Sequence, residues 1–359
     1  MTVLKLGHLG DPHISQRIRP DERKRAINAA IDIFEAEKCD LIVIPGDVYE
    51  ASASTADEAE MAEYLIRMGG IAPVVICRGN HDQAGQITAL GRLRTAPDAL
   101  GHRHPVLVTE GADVWDVAGF RVAAVSHFTK AHAAAQMTDM QEQDSATVAH
   151  ARQVLAGHRR ALAWFAGPTL LIWHGDVAGA VASNGESRRD AALLLTVADL
   201  AGVGASAVAL NHIHRGQTLD PDGRIWYAGS PYQKDFGERA DRKSVVVATF
   251  SATGCLVERG EYPLPQTPMY KFEAILMPAG WQEVEHHHPI GEWRCSATRP
   301  IGAASTGPSV LRWSDGSRVR ESRAIPPRSL NGDRSTSARH TASKARLSRG
   351  SGRRAFMTH

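Results

Sequence analysis

Residues 74–82 read Val-Val-Ile-Cys-Arg-Gly-Asn-His-Asp: four apolar residues, then a turn carrying an amide, an imidazole and a carboxylate. A short, largely β-branched run of this kind predicts a buried strand, and Gly79 lets the chain turn sharply off its end. The same syntax recurs in LKLGHLGDPH (residues 4–13), LIVIPGD (41–47), LLIWHGD (170–176) and AVALNHIH (207–214). Amphipathic stretches separate the runs. In residues 20–38, Ala26, Ile27, Ala30, Ile31 and Phe34 recur at helical spacing, with Asp21 and Glu22 at the positive end of the dipole. Strands alternating with helices predict an α/β fold. In such folds the carboxyl ends of the strands form the ligand crevice, so polar side chains at five strand ends are expected to meet.

Working outward, residues 55–68 predict a helix ended by Gly69-Gly70. A hairpin is expected from residues 114–117 and 121–125 around Gly119, a helix near 147–165, and a further helix over 189–200. Residues 224–228, 244–250 and 255–262 read as consecutive strands without intervening helices. PLPQTP (263–268) is a linker by composition, and residues 269–277 give one more strand. From Ala297 the chain is rich in Ser, Arg and Gly without apolar periodicity, which predicts disorder. The organisation expected is a globular domain over 1–262, a linker with one further strand over 263–296, and a basic tail over 297–359. His286–His288 reads as a solvated loop.

The 359 residues are 43% hydrophobic and 22% charged, which excludes a wholly disordered, collagen-like or coiled-coil chain. Cys39, Cys77, Cys255 and Cys295 lack CxxC spacing, so neither a zinc knuckle nor a disulfide framework is expected. No leader pattern opens the chain and no apolar run approaches the ~18 residues of a membrane span, so a cytoplasmic protein without membrane partners is expected. The net charge of +2 hides two regions. From Ala297 onward there are 13 basic and 3 acidic residues, net +10, whereas residues 1–296 hold 28 basic and 36 acidic ones, net −8. A basic tail binds nucleic acid through phosphate neutralisation; a terminus without a role is the alternative.

The chemistry lies in the ligand types. In an extended chain residues two apart share a side, so Asp11 with His13, and His212 with His214, each offer two donors to one place. Carboxylates, imidazoles and an amide without thiolate suit manganese, iron or zinc. One ion cannot use them all; two ions roughly 3.5–4 Å apart with one bridging carboxylate can, the arrangement used for phosphoester hydrolysis. His127, at another strand end, has no partner motif and is expected in the core or beside the ligands.

The set DxH, GD, GNHD, a later His and HxH resembles the calcineurin-like metallophosphoesterase superfamily over residues 1–262. The resemblance implies a four-layer α/β/β/α sandwich, two central mixed sheets flanked by helices. It assigns Asp11, His13, Asp47 and His214 to one metal, and Asp47, Asn80, His174 and His212 to the other, with Asp47 as bridge. It makes His81 the acid that protonates the leaving alkoxide, and Asp82 the group that orients His81. RIWYAGSPYQKDFGE (residues 224–238) is similar to a segment of the SbcD family of DNA-repair nucleases, which implies a manganese-dependent DNA phosphodiesterase working with an SbcC-type ATPase. Asn211 replaces that family's glycine before HxH, and Glu50 stands where its members carry His or Asp to position the phosphate. Residues 270–276 resemble the start of its capping domain, whereas the sequence beyond Pro278 does not, which leaves the ATPase partner unsupported there. Arg17, Arg19, Arg23, Lys24 and Arg25 follow the first ligand pair and are candidates for neighbouring DNA phosphates. Two other functions fit the same motifs: a nucleotide or small-molecule phosphodiesterase, and a non-catalytic DNA-binding subunit.

Overall fold

A computed structural model describes residues 3–92, 104–128, 140–185 and 194–269, together with four short strands beyond them. Three of the apolar runs form parallel neighbours: β1 (Val3–His8), β2 (Leu41–Ile44) and β3 (Val74–Cys77). Helix α1 (Pro20–Ala36) follows β1 and starts on a proline whose fixed φ suits the first turn. Helix α2 (Thr55–Ile71) follows β2 and begins at a reciprocal Ser54–Asp57 capping box. It runs past Gly69-Gly70 and stops because Ala72, preceding Pro73, is driven to extended backbone (φ −155°, ψ 165°).

Helix α3 (Gln86–Gly91) leads to β4 (Val106–Thr109), then the hairpin of β5 (Ala112–Val117) and β6 (Phe120–Val125), and α4 (Met140–Leu162). Strand β7 (Thr169–His174) is followed by the short pair β8 (Asp176–Val177) and β9 (Leu194–Leu195). The helix expected over 189–200 falls partly outside the described residues; Leu194–Leu195 is extended, and helix α5 (Val197–Ala201) starts at a Thr196–Asp199 capping box. Strands β10 (Ala207–Asn211), β11 (Gln217–Thr218), β12 (Ile225–Tyr227), β13 (Ser244–Ser251) and β14 (Leu256–Pro263) complete this unit.

The strands make two six-stranded mixed sheets, ordered β14-β13-β1-β2-β3-β4 and β11-β12-β10-β7-β6-β5. Their alternation divides the core into layers. Leu41 and Val43 of β2, with Val75 and Cys77 of β3, join Val122, Leu170, Ala209 and Trp226 of the second sheet in one cluster between the sheets. The alternate residues Ile42, Ile44, Val74 and Ile76 pack instead with Ile27, Ile31 and Phe34 of α1 and with Met61 and Leu65 of α2. On the outer face of the second sheet, Leu171, Trp173 and Leu210 pack with Leu155 of α4 and Leu200 of α5. This is the four-layer α/β/β/α sandwich, and it puts the carboxyl ends of β1, β2, β3, β7 and β10 at the rim of both sheets.

A second compact unit starts at Phe272, and its described part is an antiparallel sheet in the order β16-β15-β17-β18. The strands are β15 (Glu273–Met277), β16 (Gly280–Gln282), β17 (Ser309–Arg312) and β18 (Arg320–Arg323). Two of them fall in the stretch expected to be disordered, because backbone pairing needs no apolar period. His286–His288 and most of the tail lie outside the described residues.

Candidate metal centre

The loops after β2 and β3 cross at van der Waals contact, and two glycines permit it. Gly46 has φ +94°, and a Cβ there would sit 2.6 Å from His174 Nδ1 and 2.8 Å from Gly79 Cα. A Cβ on Gly79 would fall 2.1 Å from Asp47 Oδ1. Asp47, His13 and His212 themselves take positive φ (47°, 43° and 107°), a cost that persists where the surroundings over-determine it. Hydrogen bonds hold these turns. His13 and Ile14 N–H donate to Asp47 and Val48 O, His81 N–H donates to Asp47 Oδ1 at 2.9 Å, and His212 N–H donates to the Asp11 carboxylate at 3.1 Å.

The side chains from the five strand ends come together. Asp47 Oδ2 lies 3.4 Å from His174 Nε2 and 3.5 Å from His13 Nε2, all three residues buried. His174 Nε2 and His212 Nδ1 are 3.2 Å apart, and each lies 2.9 Å from Asn80 Oδ1. His13 Nε2 faces His214 Nε2 at 2.9 Å. Among the described residues, donor groups spaced for a divalent ion are Asp11–His13–Asp47, Asp47–His174–His212 and His13–Glu50–His81. Asp47 belongs to the first two. The residues fit a pair of divalent ions, since imidazole nitrogens that face one another inward have their opposite ring nitrogens turned to outer partners. His174 Nδ1 is 2.9 Å from Pro45 O, His214 Nδ1 is 2.6 Å from Glu238 Oε1, and His212 Nε2 is 3.2 Å from Asp176 Oδ2. His13 Nδ1 lies 2.9 Å from Glu50 Oε2 without hydrogen-bond alignment.

Charge is concentrated here. Burial opposes ionisation of Asp47, yet His174, His13 and the His81 N–H hold its carboxyl well below the usual range. Burial also works against a charged His174, but Asp47 and Asp11 raise it to about 9, so protons and cations compete for this nitrogen. Burial would raise Glu50; His13 and Lys234 Nζ, 2.6 Å from its Oε2, bring it down to about 2.

Two expectations are corrected, at Asp82 and at Arg23. Asp82 does not orient His81: its buried carboxylate accepts from Tyr49 N–H at 2.9 Å and Gly79 N–H at 2.8 Å, holding the two ligand loops together. His81 Nδ1 donates to the Glu50 carbonyl at 2.6 Å instead. Arg23 is fully buried, bonded through Nε and Nη2 to Glu60 and through Nη1 to the Ser15 and Ile18 carbonyls, so it faces no substrate. Arg19 is paired with Glu22 and donates to Gln233 O, Lys24 lies 3.7 Å from Glu60, and Arg25 donates to Thr267. Arg17 alone of the five is exposed with its guanidinium unengaged among the described residues. Sequence reasoning missed Glu238, Asp176 and Lys234, which reach the site from the second rank. His127 stacks on His212 with ring centroids 5.9 Å apart, beside the ligands.

No helix among the described residues is long and apolar enough to cross a membrane. Two solved structures are similar to this chain at low identity. One, TT1561 of Thermus thermophilus, is 16% identical over 72% of this chain and 99% of its own, with a TM-score of 0.44. The other, a dimetal phosphatase from Danio rerio, is 11% identical over 73% and 99%, with a TM-score of 0.42. The family model for calcineurin-like phosphoesterases matches residues 4–215, more than half of the chain and every strand end just described. The chain therefore belongs to the calcineurin-like phosphoesterase family.

Proposed function

We propose that this phosphoesterase is a two-metal DNA phosphodiesterase of the SbcD type, working with manganese, its nuclease domain spanning residues 1–262. The observation that carries the reading is that segment 224–238 is built into the metal centre. Ser230 Oγ donates to Glu238 Oε2 at 3.1 Å, Glu238 Oε1 meets His214, and Lys234 Nζ meets Glu50 between His13 and His81. The segment on which the resemblance to this nuclease family rests thus supports the candidate ligands themselves.

Held by Asp11, His13, Asp47 and His214 and by Asp47, Asn80, His174 and His212, two divalent ions would supply a nucleophile from water at neutral pH and offset the charge of the phosphate oxygens. The chain supplies position and a proton. Asp47 fixes the spacing of the two donor groups, and the Asp82 carboxylate fixes the loop that bears Asn80 and His81. Because a carbonyl oxygen only accepts, the Glu50 contact keeps a hydrogen on His81 Nδ1 and turns Nε2 away from it, the atom that passes its proton to the leaving oxygen. Glu50, already paired with Lys234, adds an acidic group whose charge is offset before an anionic substrate arrives.

The test is hydrolysis of linear double-stranded DNA with manganese. His81→Ala is expected to lower the rate by about 10²–10⁴-fold, and Asp47→Ala to abolish turnover. Intact DNA alongside rapid turnover of a small phosphodiester would instead make the protein a small-molecule phosphodiesterase.

A further inference from the structure

We infer that Glu238, locked by the buried Lys243, is the positioning residue for His214 and so sets the affinity of one of the two metal positions. The inference deepens the proposed function and rests on it only in taking the inward-facing histidines as ligands.

Glu238 is 4% exposed, and every contact of its carboxylate is within the site. Oε1 takes His214 Nδ1 at 2.6 Å; Oε2 takes Lys243 Nζ at 2.6 Å, Ser230 Oγ at 3.1 Å and Lys234 N–H at 3.2 Å. An ionised carboxylate only accepts, so His214 Nδ1 carries the hydrogen and Nε2 keeps its lone pair, aimed at His13 Nε2 2.9 Å away. A carboxylate behind an imidazole fixes the ring's tautomer and angle and makes the opposite nitrogen a stronger donor.

Lys243 explains why this carboxylate stays in place. The lysine is 1% exposed, and its ammonium also donates to His214 O at 3.0 Å and to Ser230 Oγ at 2.8 Å, with Asp241 Oδ2 at 3.4 Å. It therefore grips both the backbone and, through Glu238, the ring of the same histidine. His174 offers the contrast within the centre: its outer nitrogen faces a neutral carbonyl, Pro45 O. The FGE glutamate of the nuclease-like segment is accordingly a group that acts on the metal centre, not on DNA.

The experiment is titration of the metal-free full chain with cobalt(II), followed by calorimetry and by the visible absorption of the ion, for wild type, Glu238→Gln and Ser230→Ala. Glutamine keeps the shape but not the charge. Two ions are expected to bind wild type; in E238Q one of the two affinities falls by about 10–100-fold while the other is retained. S230A, which removes one contact from Glu238 and one from Lys243 but leaves His214 Nδ1 its partner, is expected to lower the same affinity by clearly less than E238Q does. Unchanged cobalt affinities in E238Q, equal losses at both positions, or an equal loss in S230A would overturn the inference. If wild type fails on DNA yet E238Q loses one ion, the substrate reading fails and this one stands.

Discussion

His8 ends β1 with no exposed surface, Trp226 Nε1 donating to its Nδ1 at 3.0 Å and the Asn211 amide 2.9 Å from its Nε2. Asn211 therefore occupies the position before HxH as a packing partner of His8, a use that glycine cannot make. Burial lowers the pKa of His8 from 6.5 to about 4. Above the unfolded value neither state holds the proton and stability is intact. As pH falls toward the folded value the unfolded chain gains a proton that the folded chain refuses, and stability drops by on the order of 3 kcal/mol. Urea unfolding in the presence of chelator, at about pH 7.5 and about pH 4.5, should show a smaller acid loss for His8→Gln than for wild type; identical losses would rule His8 out as the source. A second residue-scale expectation concerns Arg23. Exchanging it for Met leaves the buried Glu60 with only the more distant Lys24 ammonium, 3.7 Å away, to offset its charge and should lower stability by on the order of 3 kcal/mol, read by the same unfolding curves.

At the scale of elements, the join of β1 to α1 depends on one missing methyl group. A Cβ on Gly7 would meet Phe34 Cδ1 at 2.7 Å, and Phe34 is fully buried against the sheet. Gly7→Ala is expected to cost about 1–3 kcal/mol by overpacking, and Phe34→Leu to relieve part of that. The double variant should then be more stable than the sum of the two single losses allows; strict additivity in thermal melts would show that the two residues do not press on each other. The run-then-ligand syntax made five of the elements legible, because a buried strand needs an unbroken apolar run and a ligand needs the strand's end. Strand β4, as long as β2 and β3, escaped because no ligand-bearing turn follows it, and the pair β8–β9 because two residues carry no period of their own. Helix α2 outran its glycines because glycine only weakens a helix, whereas Pro73 forbids its continuation.

Across the whole molecule, the residues that meet at the candidate metal centre were legible and their supports were not. Asp11, His13, Asp47, Asn80, His174, His212 and His214 each announce themselves locally, by type and by place after a strand. Glu238 and Lys234 reveal their roles only when segment 229–238 closes back on the rim, a contact set by the sandwich and invisible to neighbour-by-neighbour reading. The same distance in sequence hid the fate of the arginines after His13: a basic run read as a phosphate surface is, for Arg23, an internal brace between α1 and α2. Both sheets contribute to one rim, so the centre exists only when the two halves of the sandwich are stacked. The most direct measurement is therefore the number of manganese ions retained per chain after equilibrium dialysis. Wild type should hold two, His212→Ala one, and Asp47→Ala, which removes the group common to both donor sets, close to none. Retention of two ions by Asp47→Ala, with the chain folded, would contradict the account.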